Sequence, residues 1–290
     1  MQEALIQSIS DTARWVAYHR ATESEREDAL FNDPYARQLA GERGELIGRR
    51  LSGNAWAIAI RTLLFDNLIL QQLARTPIDT VVNLAAGLDS RPYRLKLSPN
   101  LHWVEIDLPD IVEVKNHVLA AERANCRLRV LAHDLSDTPL RRRIFTELNA
   151  NTTRAMVLSE GLLTYLTEEE VTNLSAEIHA QPHFQYWIVE VVSPKVVESV
   201  QREWGEHLAI AKAPMRFAPD DWRTFYSERG WKVVTFGDMT QVAMKHGRQP
   251  APSAMRKQMR RMLSALGNVF PYLGKRSKLW ESGVAILEKK

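Results

Sequence analysis

Apolar residues recur at three- and four-residue spacing through the first part of the chain, in "TARWVAYHRA" (12–21) and "AWAIAIRTLLFDNLILQQL" (55–73). That period lines one side of a helix, so the stretch from about Glu3 to Gln72 is expected to be helical, interrupted at "FNDPYA" and "GERGE" where turn formers cluster. From Asp79 the period shortens. Compact apolar runs, "TVVNLA", "LHWVEID", "LRVLAHDL", "AMVLSEG" and "FQYWIVEVV", alternate with helical stretches. Such alternation implies βαβ units, hence an α/β chain whose mostly parallel sheet is covered by helices on both faces. After Val192 the alternation is interrupted by an insertion from about Pro194 to Trp222, before "WKVVTF" and "SGVAILEK" supply two more strands. The expected organisation is an N-terminal helical cap over residues 1–76 and a sheet domain over 77–290. The insertion at about 194–222 lies beside the carboxyl ends of the strands, where ligands of such sheets bind. Its Trp204, Met215, Phe217 and Trp222, broken by Pro214 and Pro219, suit a lid over an apolar ligand.

Composition narrows the class. At 290 residues and 45% hydrophobic, the chain is long enough for a sizeable core. The single cysteine, Cys126, excludes a disulfide framework or a cysteine-ligated metal cluster and fits a reducing, cytoplasmic setting. "MQEALIQSIS" has neither a basic n-region nor an apolar h-region, so neither secretion nor a membrane span is expected. A net charge of +3 is too small to argue for nucleic acid as a partner of the whole chain. The basic residues do cluster in 245–278, where Arg256, Lys257, Arg260 and Arg261 alternate with Met255, Met259, Met262 and Leu263. That pattern reads first as a crossover helix with a solvated basic face, and second as a surface for a membrane, an acidic partner or nucleic acid.

The first strand runs into Ala85-Ala86-Gly87 and then Asp89, Ser90 and Arg91, a strand, a tight turn and a helix start, the usual place for a nucleotide-like cofactor. Dinucleotide enzymes need several glycines here so that a pyrophosphate can approach the backbone amides. This turn has one. A phosphate-free cofactor such as S-adenosylmethionine needs room beside the turn and a cation for its carboxylate, for which Arg61 and Arg91 are both candidates. Asp107 ends the second strand about twenty residues on, where a carboxylate accepts from ribose hydroxyls in adenosine cofactors generally. Asp134 and Leu135 end the third strand, offering a carboxylate for an adenine amino group beside an apolar contact. Asp134 also reads as a helix N-cap. Glu160 and Gly161 end the fourth strand, with Glu160 facing the crevice and able to hold an ammonium. Thr167 with Glu170 reads as a capping box, and Glu168 and Glu169 as a solvated first turn.

In this order and spacing, "VVNLAAGLDSRPYRL", "EIDLP", "HDL" and "SEGLLTYL" resemble the leucine carboxyl methyltransferase-like family of S-adenosylmethionine-dependent O-methyltransferases, and the N-terminal "SDTARWVAYHRATESEREDALFNDPYARQLAGERG" is similar to its bacterial branch, often associated with polyketide-type O-methylation. The resemblance implies a class I methyltransferase (Rossmann-like) sheet of seven strands, the last antiparallel. It further implies that Arg61 binds the cofactor carboxylate, Asp107 the ribose, Asp134 and Leu135 the adenine, and Glu160 the amino group. Ala85 and Gly87 form the family's turn, which usually reads Leu-Gly-Ala-Gly. Ala85 replaces its first glycine, which is tolerable only at negative φ. Members acting on a phosphatase C-terminus carry a lysine before the Asp-Pro-Tyr motif. Asp28 stands near that position here, so that substrate is unsupported.

The expected activity is methylation of a carboxylate on a small molecule, because a carboxylate is already ionised and requires positioning without a general base. A phenol or alcohol acceptor would need a base, and His133 is the best placed. Tyr165 and Arg91 are candidates for orienting the acceptor, and no catalytic residue is assigned beyond these. His179 and His183 have metal-pair spacing, but Pro182 breaks the helix such a pair needs, so no metal is expected. The other readings are a NAD-dependent dehydrogenase, for which Asp107 and the sheet speak, and a non-catalytic binding protein of the same fold. Arg61 has apolar neighbours, Ile60, Leu63 and Leu64, so it is expected to lack a partner until the cofactor arrives. Arg61→Met would then leave the ligand-free protein at least as stable.

Overall fold

A computed structural model describes residue 6 and residues 8–51, 55–210, 214–248 and 281–290. The basic stretch noted within 245–278 falls outside these from residue 249 onward. Seven strands form one sheet: β1 (Thr80–Leu84), β2 (His102–Asp107), β3 (Arg127–Ala132), β4 (Ala155–Ser159), β5 (Phe184–Val191), β6 (Trp231–Asp238) and β7 (Gly283–Lys289). Their spatial order is β3-β2-β1-β4-β5-β7-β6. β1 to β5 run parallel, and β7 is antiparallel to both of its neighbours. Every strand read from the short apolar runs is present. The expected class I methyltransferase sheet with an antiparallel last strand is the one observed. Its switch point, where the strand order reverses, lies between β1 and β4.

Consecutive residues of a strand point to opposite faces, so the apolar runs feed two cores. On one face Val82, Leu84, Val104 and Ile106 pack with Ile144 and Phe145 of α6 (Thr138–Ala150), Val171 and Leu174 of α7 (Glu168–His179), and Phe225 of α9 (Trp222–Glu228). On the other, Val81, Trp103, Leu158 and Ile188 pack with Ile60, Leu64, Phe65 and Ile69 of α3 (Ala55–Arg75) and Met239 of α10 (Met239–Lys245). The apolar period of 55–73 is thus a sheet-covering helix. α1 (Ile9–Ser24) and α2 (Ala36–Arg50) pair with each other and lean on α5 (Pro109–Val118) through Ala17, Leu39, Ala40, Leu88 and Ile111. They approach closely because Gly44 has no side chain: a Cβ there would sit 2.7 Å from the Arg14 carbonyl oxygen. The capping box opens α7 as read, with Thr167 N donating to Glu170 at 2.7 Å and Glu170 N donating to Thr167 at 3.2 Å. Among the described residues, no helix is long and apolar enough to cross a membrane.

The insertion begins as a helix, α8 (Pro194–Ile210). Phe217 and Trp222 belong to the sheet core, where Phe217 stacks edge-on with Phe225 at 5.0 Å, so these two do not face a ligand. The Trp204 side chain lies outside the described set.

Candidate functional site

A cavity of about 1110 Å³ opens over the carboxyl ends of β1 to β5. α1, α3 and α8 wall it through Trp15, Trp56 and Val196, and Met215 from the loop after α8 reaches it as well. At β1 the chain turns through Ala85 at φ +50° and Gly87 at φ +55°. The negative φ expected of Ala85 is not what the structure has: the residue is left-handed, a region that costs an L-residue about 1 kcal/mol. The turn so formed points the Gly87 N–H at Asp107, whose Oδ2 accepts it at 2.5 Å while Oδ1 accepts Leu108 N at 2.7 Å. Burial nevertheless holds the Asp107 carboxyl above its ordinary range, against the pull of those two amides.

At the end of β3, Asp134 is exposed and its Oδ1 accepts Ser136 N at 2.8 Å. The N-cap of α6 is Asp137, bonded to Leu140 N at 3.0 Å, so the capping role open to Asp134 falls three residues later. Leu135 packs against the sheet core, and its carbonyl accepts from Arg141. His133 lines the cavity beside Asp134. His179 ends α7, its ring edge-on to Trp231 at 5.4 Å, whereas His183 lies in the following turn with Nδ1 3.0 Å from the Asn149 carbonyl oxygen.

The switch point is filled by charge. Arg61 Nε donates to Glu160 Oε1 at 2.9 Å, and Arg61 Nη1 lies 3.2 Å from both oxygens of Glu190. Glu190 Oε2 also accepts Gly161 N at 2.9 Å. Arg91 Nη1 donates to Glu160 Oε2 at 2.8 Å and to Asp89 at 2.9 Å, and its Nε donates to Asp66 at 2.7 Å. Arg94 forks onto Asp66 at 2.7 and 2.8 Å and lies 3.7 Å from Asp33, which also accepts from Ser90 at 2.7 Å and Arg20 at 2.9 Å. Burial alone would push Glu160 and Asp89 up. Arg91 and Arg61 at Glu160, and Arg91 and Lys115 at Asp89, overcome it and hold both carboxyls below their usual range. Burial would likewise lower Arg61, but Glu190 and Glu160 raise it.

Arg61 is therefore paired without any ligand, against the sequence expectation. Arg91, which opens the short helix α4 (Arg91–Arg94), is committed to three carboxylates. Tyr165, in the short 3-10 turn Leu163–Tyr165, lines the cavity and packs with Ile6 and Ile47, and burial raises its hydroxyl. Sequence reasoning missed Glu190 and Asp66. Both stand as lone carboxylates in apolar runs, "FQYWIVEVV" and "LLFDNLIL", and such a charge is costly unless paired. That is the signal by which they are found.

The comparisons agree with this architecture. The model of the family described as leucine carboxyl methyltransferase matches residues 13–179. A Saccharopolyspora erythraea protein, provisionally named an S-adenosyl-L-methionine-dependent methyltransferase, is 31% identical over 255 residues, covering 79% of this chain and 85% of its own. A Mycobacterium tuberculosis protein of the same provisional name is 30% identical over 289 residues, covering 85% of this chain and 87% of its own. Among solved structures, a Thermobifida fusca protein provisionally named a methyltransferase superposes with a TM-score of 0.57 at 13% identity, covering 99% of this chain and 97% of its own, a likeness of fold alone.

Proposed function

Because the chain belongs to the leucine carboxyl methyltransferase family, with S-adenosylmethionine as its cofactor, we propose that this methyltransferase acts on a carboxylate of a small molecule and uses no general base. The donor set fits a phosphate-free adenosine cofactor. The Gly87 amide, which a pyrophosphate would need, is already given to Asp107, and Asp89 adds a second negative charge beside the turn. A dinucleotide would meet repulsion there, which argues against the dehydrogenase reading.

In this reading Arg61 takes the cofactor carboxylate and Glu160 its ammonium, the two being held ready by their mutual bond. Asp107 takes the ribose hydroxyls, and Asp134 with Leu135 the adenine. Bound there, S-adenosylmethionine supplies a methyl group on a sulfonium, electrophilic without further activation. The chain's own residues bind, orient and exclude water, with Trp15, Trp56, Val196 and Met215 enclosing the acceptor compartment and Tyr165 offering a hydroxyl at its edge.

One observation favours an acceptor that is already ionised. Among the described residues lining the cavity His133 is the only histidine, and it stands at the adenine end, while Glu160 and Glu190 are both bonded to Arg61. A hydroxyl would find no free base beside those two carboxylates. The test is methyl transfer from radiolabelled cofactor to a panel of carboxylic acids and phenols. Methyl esters release methanol in base and methyl ethers do not, so the products report the acceptor class directly. With a working acid the rate should be flat from about pH 6 to 8, since a carboxylate has finished ionising below that window. Base-stable product, or a rate climbing tenfold per pH unit, would overturn the carboxylate reading in favour of a hydroxyl acceptor assisted by His133.

A further inference from the structure

The charged groups at the switch point form one alternating ladder, from Glu190 through Arg61, Glu160, Arg91, Asp66, Arg94 and Asp33 to Arg20, with Asp89 branching from Arg91. Among the described residues it carries five carboxylates against four guanidiniums. None of the nine side chains is more than 16% exposed, so water screens the imbalance poorly. The neighbouring Lys115 does not correct it, being matched by Glu105 at 2.6 Å. Burial pushes the Glu105 carboxyl up to about 7, so that pair is fully ionised only at higher pH.

We propose that this surplus negative charge, carried at the cavity by Glu190, makes the site prefer the cationic methyl donor to the product left after transfer. The inference rests on the methyltransferase reading and adds a residue role to it. S-adenosylmethionine carries an ammonium, a carboxylate and a sulfonium, a net charge of plus one. Methyl transfer breaks the sulfur–methyl bond with its electron pair remaining on sulfur, so the product thioether has no net charge. Glu160 and Arg61 match the ammonium and carboxylate that donor and product share. Glu190 is the carboxylate left over, and it lines the same cavity. A ladder with net charge minus one, beside the further carboxylates Asp107 and Asp134, is better compensated by the cationic donor than by the neutral product, so spent cofactor is released and fresh cofactor enters. At an effective dielectric of about 20, one unit charge several ångströms away changes binding on the order of tenfold.

Calorimetry at pH 8 tests this with three ligands: S-adenosylmethionine, S-adenosylhomocysteine, and sinefungin, which carries an amine where the sulfonium methyl stands and cannot react. Wild-type protein should bind the two cations about tenfold more tightly than the neutral product, and Glu190→Gln should reduce that ratio about fivefold, chiefly by weakening the cations. An unchanged ratio in Glu190→Gln, or a wild-type preference for the product, would overturn the proposal. If that variant does not fold, Glu190→Asp serves instead: it keeps the charge and should keep the preference for the cations, and loss of that preference in a folded Glu190→Asp overturns the proposal. Equal wild-type binding of donor and product defeats this inference alone, whereas no binding of either defeats the methyltransferase reading beneath it.

Discussion

Arg61 and Glu160, 99 residues apart in the chain, are joined by a 2.9 Å bond between Nε and Oε1. α3 supplies the first and the end of β4 the second. Two groups that the family resemblance gives to opposite ends of one amino-acid moiety are thus already in contact, with Glu190 bracing the guanidinium from β5. In the proposed reading a zwitterionic ligand meets a preformed zwitterionic pair, so little side-chain ordering is left to the binding step.

Removing Arg61 should therefore harm the protein before any ligand is considered. Arg61→Met leaves Glu160 with Arg91 and Glu190 with the Gly161 amide in a largely buried setting, and breaking a buried pair from one side costs about 3 kcal/mol or more. Thermal unfolding of the ligand-free variant should show a clear drop in Tm. An unchanged Tm would mean that the pair is worth nothing without cofactor.

Asp107→Ala should weaken S-adenosylmethionine binding at least tenfold, about 1.4 kcal/mol, through loss of the ribose carboxylate and release of the Gly87 amide that organises the turn. Asp107→Asn keeps an acceptor for that amide and should lose less. Isothermal titration with the same cofactor reads both, and wild-type affinity in Asp107→Ala would remove this residue from the site.

Ala85→Gly relieves a left-handed alanine, set against the extra freedom glycine gains in the unfolded chain. The net expectation is a stabilisation on the order of 0.5 kcal/mol with cofactor affinity unchanged, measured by denaturant unfolding. A destabilised variant would show that the methyl group packs usefully despite its backbone.

His19 provides a pH test. It is buried beside Trp15 and Tyr18, and burial pulls its pKa from 6.5 down to about 4, partly opposed by a bond to the Leu51 backbone. The folded state therefore holds this proton more weakly than the unfolded chain does. The stability is fully present above about pH 6.5 and is lost as pH falls toward 4, by up to about 3 kcal/mol in total. His19→Leu should flatten that part of the stability profile. Parallel curves for wild type and variant between pH 4 and 6.5 would show that His19 is not the group responsible.

The positions of several candidate site residues were legible because they follow from local pattern. Asp107 and Glu160 sit where the apolar runs of the buried strands β2 and β4 stop, and Asp134 where the apolar run of the edge strand β3 stops. The capping box at Thr167 and Glu170 was legible for a similar reason, since its bonds span three residues. Pattern could not say what Arg61 touches: its partners lie 99 and 129 residues away, brought close only when β4 and β5 pair beside β1.

The sequence by itself determined the α/β alternation, the strand ends that face the crevice and, through linked motifs, the family. These depend on the period of side chains along one element, which a string of residues carries directly. Only the tertiary structure decided that Arg61 is paired, that Ala85 is left-handed, that Phe217 and Trp222 turn into the core, and that Glu190 and Asp66 join the charged ladder. Each of these is set by contacts between elements distant in the chain, and the energy of a buried charge or a strained turn depends on the partner across the gap rather than on the neighbours beside it.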